Sequence, residues 1–197
     1  LKLICEPDAL RSYCRVSGQV DLQGGLPGYL PQRPDPALLR MPVQALFPDG
    51  PDYSLLAQLS IPPDAPFAQR PLSSFSGGER IKLLLLRTLM RRPDFLLLDE
   101  PTNDIDLRAL DWLEQFILTS KIPVLYVSHD ETLLERTANV IIHLEQVCRK
   151  TKAQHTIERM SYPAYLERRQ GTLARQEQIA SKQRADQRAR EERWRQI

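Results

Sequence analysis

The chain has 197 residues, 42% hydrophobic and 26% charged, with a net charge of +2. This suits one ordinary domain with an appendage and excludes a chain dominated by disorder or by membrane spans, because no stretch approaches the ~18 to 20 continuous apolar residues that a spanning helix needs. The charge is uneven: residues 167–197 carry nine Lys and Arg against five acids, so a mildly acidic body precedes a basic tail suited to a polyanion.

The opening Leu1-Lys2-Leu3-Ile4-Cys5 has neither the basic lead nor the cleavage site of a secretory signal, and with no initiator Met it reads as part of something longer. Cys5, Cys14 and Cys148 form no CxxC pair and no ligand pattern with His129, His143 or His155, and their odd number does not suit a disulfide framework. A reducing cytosol is their simplest setting.

Short strands and turns are expected over 17–32, where Gly18, Gly24, Gly25, Pro27 and Gly28 punctuate a loose alternation ending at Tyr29-Leu30-Pro31-Gln32. The proline-rich stretch 33–71 permits only short helices, over 37–45 and 53–59. A helix over 77–90 then carries Leu83, Leu84, Leu85 and Leu86, an apolar surface broad enough for burial on several sides. The run 95–98 reads as a strand buried on both faces, followed by a helix over 107–118, a second buried run over 124–127, a helix over 131–136 and a third run over 140–144. Strand, helix, strand, helix, strand predicts an α/β domain with a largely parallel sheet. Residues 166–197 are strong helix formers with only Leu166, Leu173, Ile179 and Trp194 as sparse apolar positions, which predicts an extended solvent-facing helix.

Three short segments carry chemistry. Asp99 and Glu100 follow Phe95-Leu96-Leu97-Leu98 at the carboxyl end of a buried strand, where open α/β sheets bind ligands. There one carboxylate can hold Mg2+ and its neighbour can orient or deprotonate an attacking water, although acids also end a strand where the chain merely surfaces. Ser76-Gly77-Gly78-Glu79 precedes a helix, so Ser76 is a candidate N-cap and the backbone N–H groups beside it a candidate anion site; a plain loop before a capped helix has the same text. Val127-Ser128-His129-Asp130 ends the second buried run, and His129 there, beside the strand bearing Asp99 and Glu100, could contact a terminal phosphate.

The order Ser-Gly-Gly-Glu, Leu-Leu-Leu-Asp-Glu-Pro-Thr-Asn, Ser-His-Asp within about 55 residues resembles the ATP-binding-cassette (ABC) family over residues 1–150. The resemblance implies a P-loop NTPase-like nucleotide-binding domain, with ATP and Mg2+ as cofactors. It implies that Gln32 is the Q-loop glutamine near metal and water, that Asp99 is the metal carboxylate, Glu100 the catalytic base and His129 the switch histidine. Ser76, Gly77, Gly78 and Glu79 would form the signature motif, and Asn103-Asp104-Ile105-Asp106 the D-loop, with Asp106 on the nucleotide side. In this family two cassettes sandwich two ATP molecules, so a second cassette, in the same chain or in a dimer partner, is implied.

The phosphate-cradling Gly-x-x-x-x-Gly-Lys-Ser/Thr does not occur in the sequence. Since the family's text just after that loop is like Leu1-Lys2-Leu3-Ile4, the sequence is expected to begin just beyond it, and this piece to bind nucleotide poorly on its own.

Asp-Glu-Pro-Thr-Asn-x-x-Asp at 99–106 further resembles the ABC-F branch, soluble tandem cassettes that act on ribosomes. The short distance from Gln32 to Ser76 and the passage from Ser161-Tyr162-Pro163-Ala164-Tyr165 into a charged helix fit that branch. The expected division is a cassette over 1–160, with a short helical subdomain at about 33–75, and the start of a basic interdomain linker over 161–197. On that linker Lys182, Arg184 and Arg188 are candidate contacts to ribosomal RNA, while the alternative is a solvated helix laced with pairs such as Arg188 with Glu192. A cytoplasmic translation factor or antibiotic-resistance ribosome-protection protein is the expected function, the resistance branch being favoured by the missing arm insertion. The alternatives are the nucleotide-binding subunit of a membrane transporter and, third, a DNA-repair cassette.

Overall fold

The computed structural model describes residues 1–5, 18–147 and 152–195. Cys14 and Cys148 lie outside the described residues, as do the side chains of Leu173, Lys182, Arg188, Glu192 and Trp194. Two compact units make up the chain, Leu1–Leu133 and Leu134–Ile197, so the expected cassette over 1–160 extends across both.

In the first unit a short helix α1 (Lys2–Cys5) and strand β1 (Pro27–Leu30) precede a region of small turns. Helix α2 (Pro36–Arg40) is capped by Asp35, whose carboxylate accepts from the Ala37 amide, and it stops where Pro42 prevents its continuation. The expected helix over 37–45 is therefore two pieces, α2 and a 3-10 turn at Val43–Leu46. Helix α3 (Tyr53–Gln58) is capped in the same way by Asp52. Val43, Leu46, Phe47, Leu56, Leu59 and Leu72 from this region are all buried and join one core with the helix that follows.

Helix α4 (Gly77–Leu89) is that core's centre: Leu83, Leu84, Leu85 and Leu86 are all at most 7% exposed, as four successive leucines must be when a helix is covered on several sides. Beside it lie β2 (Phe95–Asp99), α5 (Leu107–Thr119), β3 (Val124–Val127) and α6 (Glu131–Thr137). The sheet is parallel in the order β1-β2-β3, with Tyr29 opposite Leu97 and Asp99 opposite Val127. Leu96 and Leu98 point into the core and Leu97 is buried on the opposite face, so β2 is covered on both sides, as its unbroken apolar run predicts.

β3 differs from expectation. Val124 and Tyr126 face the core, but Leu125 and Val127 are exposed, so β3, an edge strand among the described residues, is covered on one face only.

The second unit holds the larger correction. The third apolar run, expected to extend the parallel sheet, is β4 (Ile141–Val147), and it pairs antiparallel with β5 (Lys152–Glu158) in a separate two-stranded ribbon. Ile142 and Leu144 are exposed at 47% and 75%. An apolar run states that a strand is favoured; it does not state which partner it takes. Helix α7 (Tyr162–Arg195) follows, 34 residues with Pro163 in its first turn, a position where a missing N–H costs nothing. Among the described residues no helix is long and apolar enough to cross a membrane.

Candidate functional site

The carboxyl ends of β2 and β3 bring the expected acidic pair and histidine together. Glu100 directly follows β2 and has φ +49°, a left-handed conformation that costs a non-glycine residue of order 1–3 kcal/mol and persists only where the surroundings fix it. Here they do. The Glu100 amide donates to the Val127 carbonyl at 2.9 Å, and its own carbonyl accepts from the Asn103 amide at 3.2 Å. One carboxylate oxygen accepts from the His129 amide at 3.2 Å, and the other lies 3.1 Å from His129 Nε2. Glu100 is only 7% exposed, whereas the imidazole is almost wholly exposed.

Thr102 and Ser128 join the two loops through their hydroxyls at 3.2 Å, and the Ser128 hydroxyl also accepts from the Asp130 amide. Asp130 in turn accepts from the Leu133 amide, which starts α6 directly after His129. The imidazole therefore stands on a short, internally braced turn.

Asp99, Glu100 and Gln32 line a cleft of about 1290 Å3, with Gly77, Arg80 and Asp104 also on its wall. Hard carboxylate and amide oxygens around one opening are the donor chemistry that Mg2+ prefers, so the residues present fit such an ion. The Tyr29 hydroxyl donates to Asp99 Oδ2 at 3.2 Å, a contact that sequence reading did not single out.

The Ser-Gly-Gly-Glu segment is placed at the start of α4, and each residue has a structural task. Ser76 and Glu79 form a reciprocal capping box: the Ser76 hydroxyl accepts from the Glu79 amide, and the Glu79 carboxylate accepts from the Ser76 amide at 2.9 Å. A Cβ on Gly77 would lie 1.6 Å from the Asp104 carbonyl oxygen, and one on Gly78 would lie 2.5 Å from the Ala109 Cβ. The two glycines thus let α4 press against the loop after β2 and against α5. Asp106 is the N-cap of α5, accepting from the Ala109 amide at 2.8 Å.

Ser76, Gly78, Glu79 and Asp106 line a different pocket, of about 430 Å3, together with Lys82 and Arg70. Burial lowers the Lys82 pKa below its ordinary value, while the Asp106 and Glu79 carboxylates pull it back up. Its ammonium sits 4.6 Å from the centre of the Trp112 ring, and Arg70 stacks 3.8 Å over Phe75. The expected site residues therefore divide, with Gln32, Asp99, Glu100 and Gly77 on one opening and Ser76, Gly78, Glu79 and Asp106 on another.

In the second unit the start of α7 is tied to the ribbon. Arg168 reaches Glu158 at 2.7 Å, and Arg169 donates to the Tyr165 hydroxyl at 2.9 Å and approaches His143 Nε2 at 2.6 Å. Arg184 is exposed further along α7.

Residues 49–103 match the family model described as ABC transporter. The chain is 49% identical over 90 residues to human ATP-binding cassette sub-family F member 3, covering 46% of this chain and 12% of that protein. It is 35% identical over 117 residues to ABC transporter F family member 5 of Arabidopsis thaliana, covering 58% of this chain and 17% of that protein. Over these stretches the chain is similar to ABC-F proteins. Its fold is that of an ABC nucleotide-binding domain: the solved structure of RNase-L Inhibitor superposes with a TM-score of 0.62 at 20% identity, covering 87% of this chain and 33% of that one. The matched stretches are thus a small share of the curated relatives' length.

Proposed function

We propose that the whole protein binds and hydrolyses ATP with Mg2+ and acts on the ribosome, as a translation factor or as a resistance factor that protects ribosomes from antibiotics. The observation that carries the ATPase reading is Glu100, strained, buried and doubly bonded to His129, directly after Asp99 at the carboxyl edge of a parallel sheet. A carboxylate has about four lone-pair sites, so two contacts to His129 leave Glu100 able to accept a proton from water.

In this reading Glu100 is the general base. His129, exposed and directed by that base, meets the terminal phosphate, and Gln32 helps hold the water and metal from the wall of the same cleft. Asp99 and Gln32 are the residues that would hold Mg2+, which when bound supplies neutralisation of charge on the phosphate oxygens. The amides at the start of α4, with Ser76, Gly77, Gly78 and Glu79, would serve the ATP held by a second cassette, and Asp106 would stand beside it. The 34-residue α7 would begin the linker, its basic side chains meeting ribosomal RNA through phosphates.

Co-sedimentation of the full-length protein bearing Glu100→Gln with purified ribosomes tests this reading. Pelleting that needs ATP and weakens as salt is raised is the expected result. No ribosome binding at any salt would end the ribosomal reading and return the cassette to a membrane transporter's nucleotide-binding subunit.

A further inference from the structure

Tyr29 is placed by a steric lock on its neighbour. A Cβ on Gly28 would meet Leu96 Cδ2 at 2.7 Å, Thr88 Cγ2 at 2.8 Å and Pro93 Cγ at 2.9 Å, so β1 lies against β2 and α4 as only a glycine permits. That lock fixes the register, with Tyr29 opposite Leu97 in a parallel pair. Side chains alternate along strands, so Leu30, Leu96 and Leu98 face the core while Tyr29, Leu97 and Asp99 share the other face. Asp99 lies two residues beyond Leu97, roughly 6.6 Å further along the strand at about 3.3 Å per residue, a span that a phenol lying along the sheet covers. The hydroxyl accordingly reaches Asp99 Oδ2 at 3.2 Å.

We propose that Tyr29 is a positioning residue for the divalent cation: by donating to Oδ2 it fixes the rotation of the Asp99 carboxylate and presents the other oxygen to the metal. This rests on the reading of Asp99 as a metal carboxylate. A carboxylate at a strand end turns about its terminal torsion with little restraint, and a partner outside the ligand set is the usual means of holding it. The same strand leads within three residues to Gln32, on the wall of the same cleft. β1 therefore carries the hydroxyl that aligns the carboxylate, and the chain just past its end brings Gln32 to the same cleft.

The test uses the full-length protein in a Glu100→Gln background, with Mn2+ in place of Mg2+ so that binding is read by electron paramagnetic resonance in the presence of ATP. Tyr29→Phe keeps the ring and removes only the hydroxyl. Mn2+ affinity should fall about tenfold, the lower end of what loss of such a partner costs. ATP affinity measured in chelator should stay within about twofold, and so should any further effect of Tyr29→Phe once Asp99→Asn is present, since a residue acting through Asp99 has nothing left to position.

Unchanged Mn2+ affinity in Tyr29→Phe would overturn the proposal. So would a loss of equal size in the Asp99→Asn background, which would mark Tyr29 as a packing residue. Failure of the underlying reading looks different: Asp99→Asn itself would then leave Mn2+ affinity untouched.

Discussion

Around α4, Leu83, Leu85 and Leu86 are sealed from water together with Leu96 and Leu98 of the adjacent strand. Where α7 begins, the side chains that meet the ribbon are instead Arg168 with Glu158, and Arg169 with His143 and Tyr165. The ribbon's Ile142, Leu144 and Ile157 stay exposed. Apolar burial is worth roughly 25 cal/mol per Å2 and is not screened by salt, while exposed ion pairs are worth about 0–1 kcal/mol and are screened. The two units thus draw on forces that respond to different conditions. The strained Glu100 belongs to the unit with the dry core, which is what holding an unfavourable backbone conformation requires.

The largest expected effect breaks the dry side. Leu85→Ala should destabilise the first unit by about 2–5 kcal/mol, read as a shift of the denaturant midpoint, because Leu85 is fully buried and its neighbours are held by the sheet. A loss under 1 kcal/mol would mean that the core around α4 is less closed than described. Smaller, and at the polar edge of the same unit, Ser76→Ala removes one half of the capping box and should cost about 1 kcal/mol in the same measurement.

In the other unit Arg168→Ala should cost only about 0.2–1 kcal/mol at low salt, with the difference from wild type shrinking as salt is added. Hydrogen exchange of the ribbon amides reads this locally. A salt-independent loss would show that Arg168 acts through packing of its stem.

The smallest effect concerns Lys82. Because burial lowers its pKa in the folded chain, the folded chain binds fewer protons than the unfolded chain in the window just below 10.5. Stability therefore rises with pH through that window. Lys82→Met has no proton to lose, so melting temperatures should move in favour of wild type as pH is raised there; parallel curves would contradict the burial of Lys82.

Much of the first unit was legible because its signals are local. Four leucines in succession, a continuous apolar strand ending on acids, and Ser76 three residues before Glu79 each dictate their own structure. The adjacency of Glu100 and His129 was legible too, since two consecutive parallel strands put their carboxyl ends side by side. What escaped depends on non-local partners. Nothing in residues 140–144 says that they pair with 152–158 rather than with the parallel sheet, and nothing in Leu125 and Val127 says that their strand is an edge.

The glycines are a related case. At Gly77 and Gly78 a Cβ would meet Asp104 and Ala109, a crowding visible only once the helices are packed. Tyr29 carried a usable signal: once β1 and β2 are taken as parallel neighbours, the alternation of side chains puts Tyr29 and Asp99 on one face.

The central claim is that Glu100 removes a proton from water at this site. Its most direct test is the nucleotide retained by full-length Glu100→Gln after rapid removal of free ATP, followed over time for conversion to ADP. The account predicts that ATP stays bound and is hydrolysed at least about 100-fold more slowly than by wild type, the lower end of what a general base contributes. Conversion at the wild-type rate would contradict it.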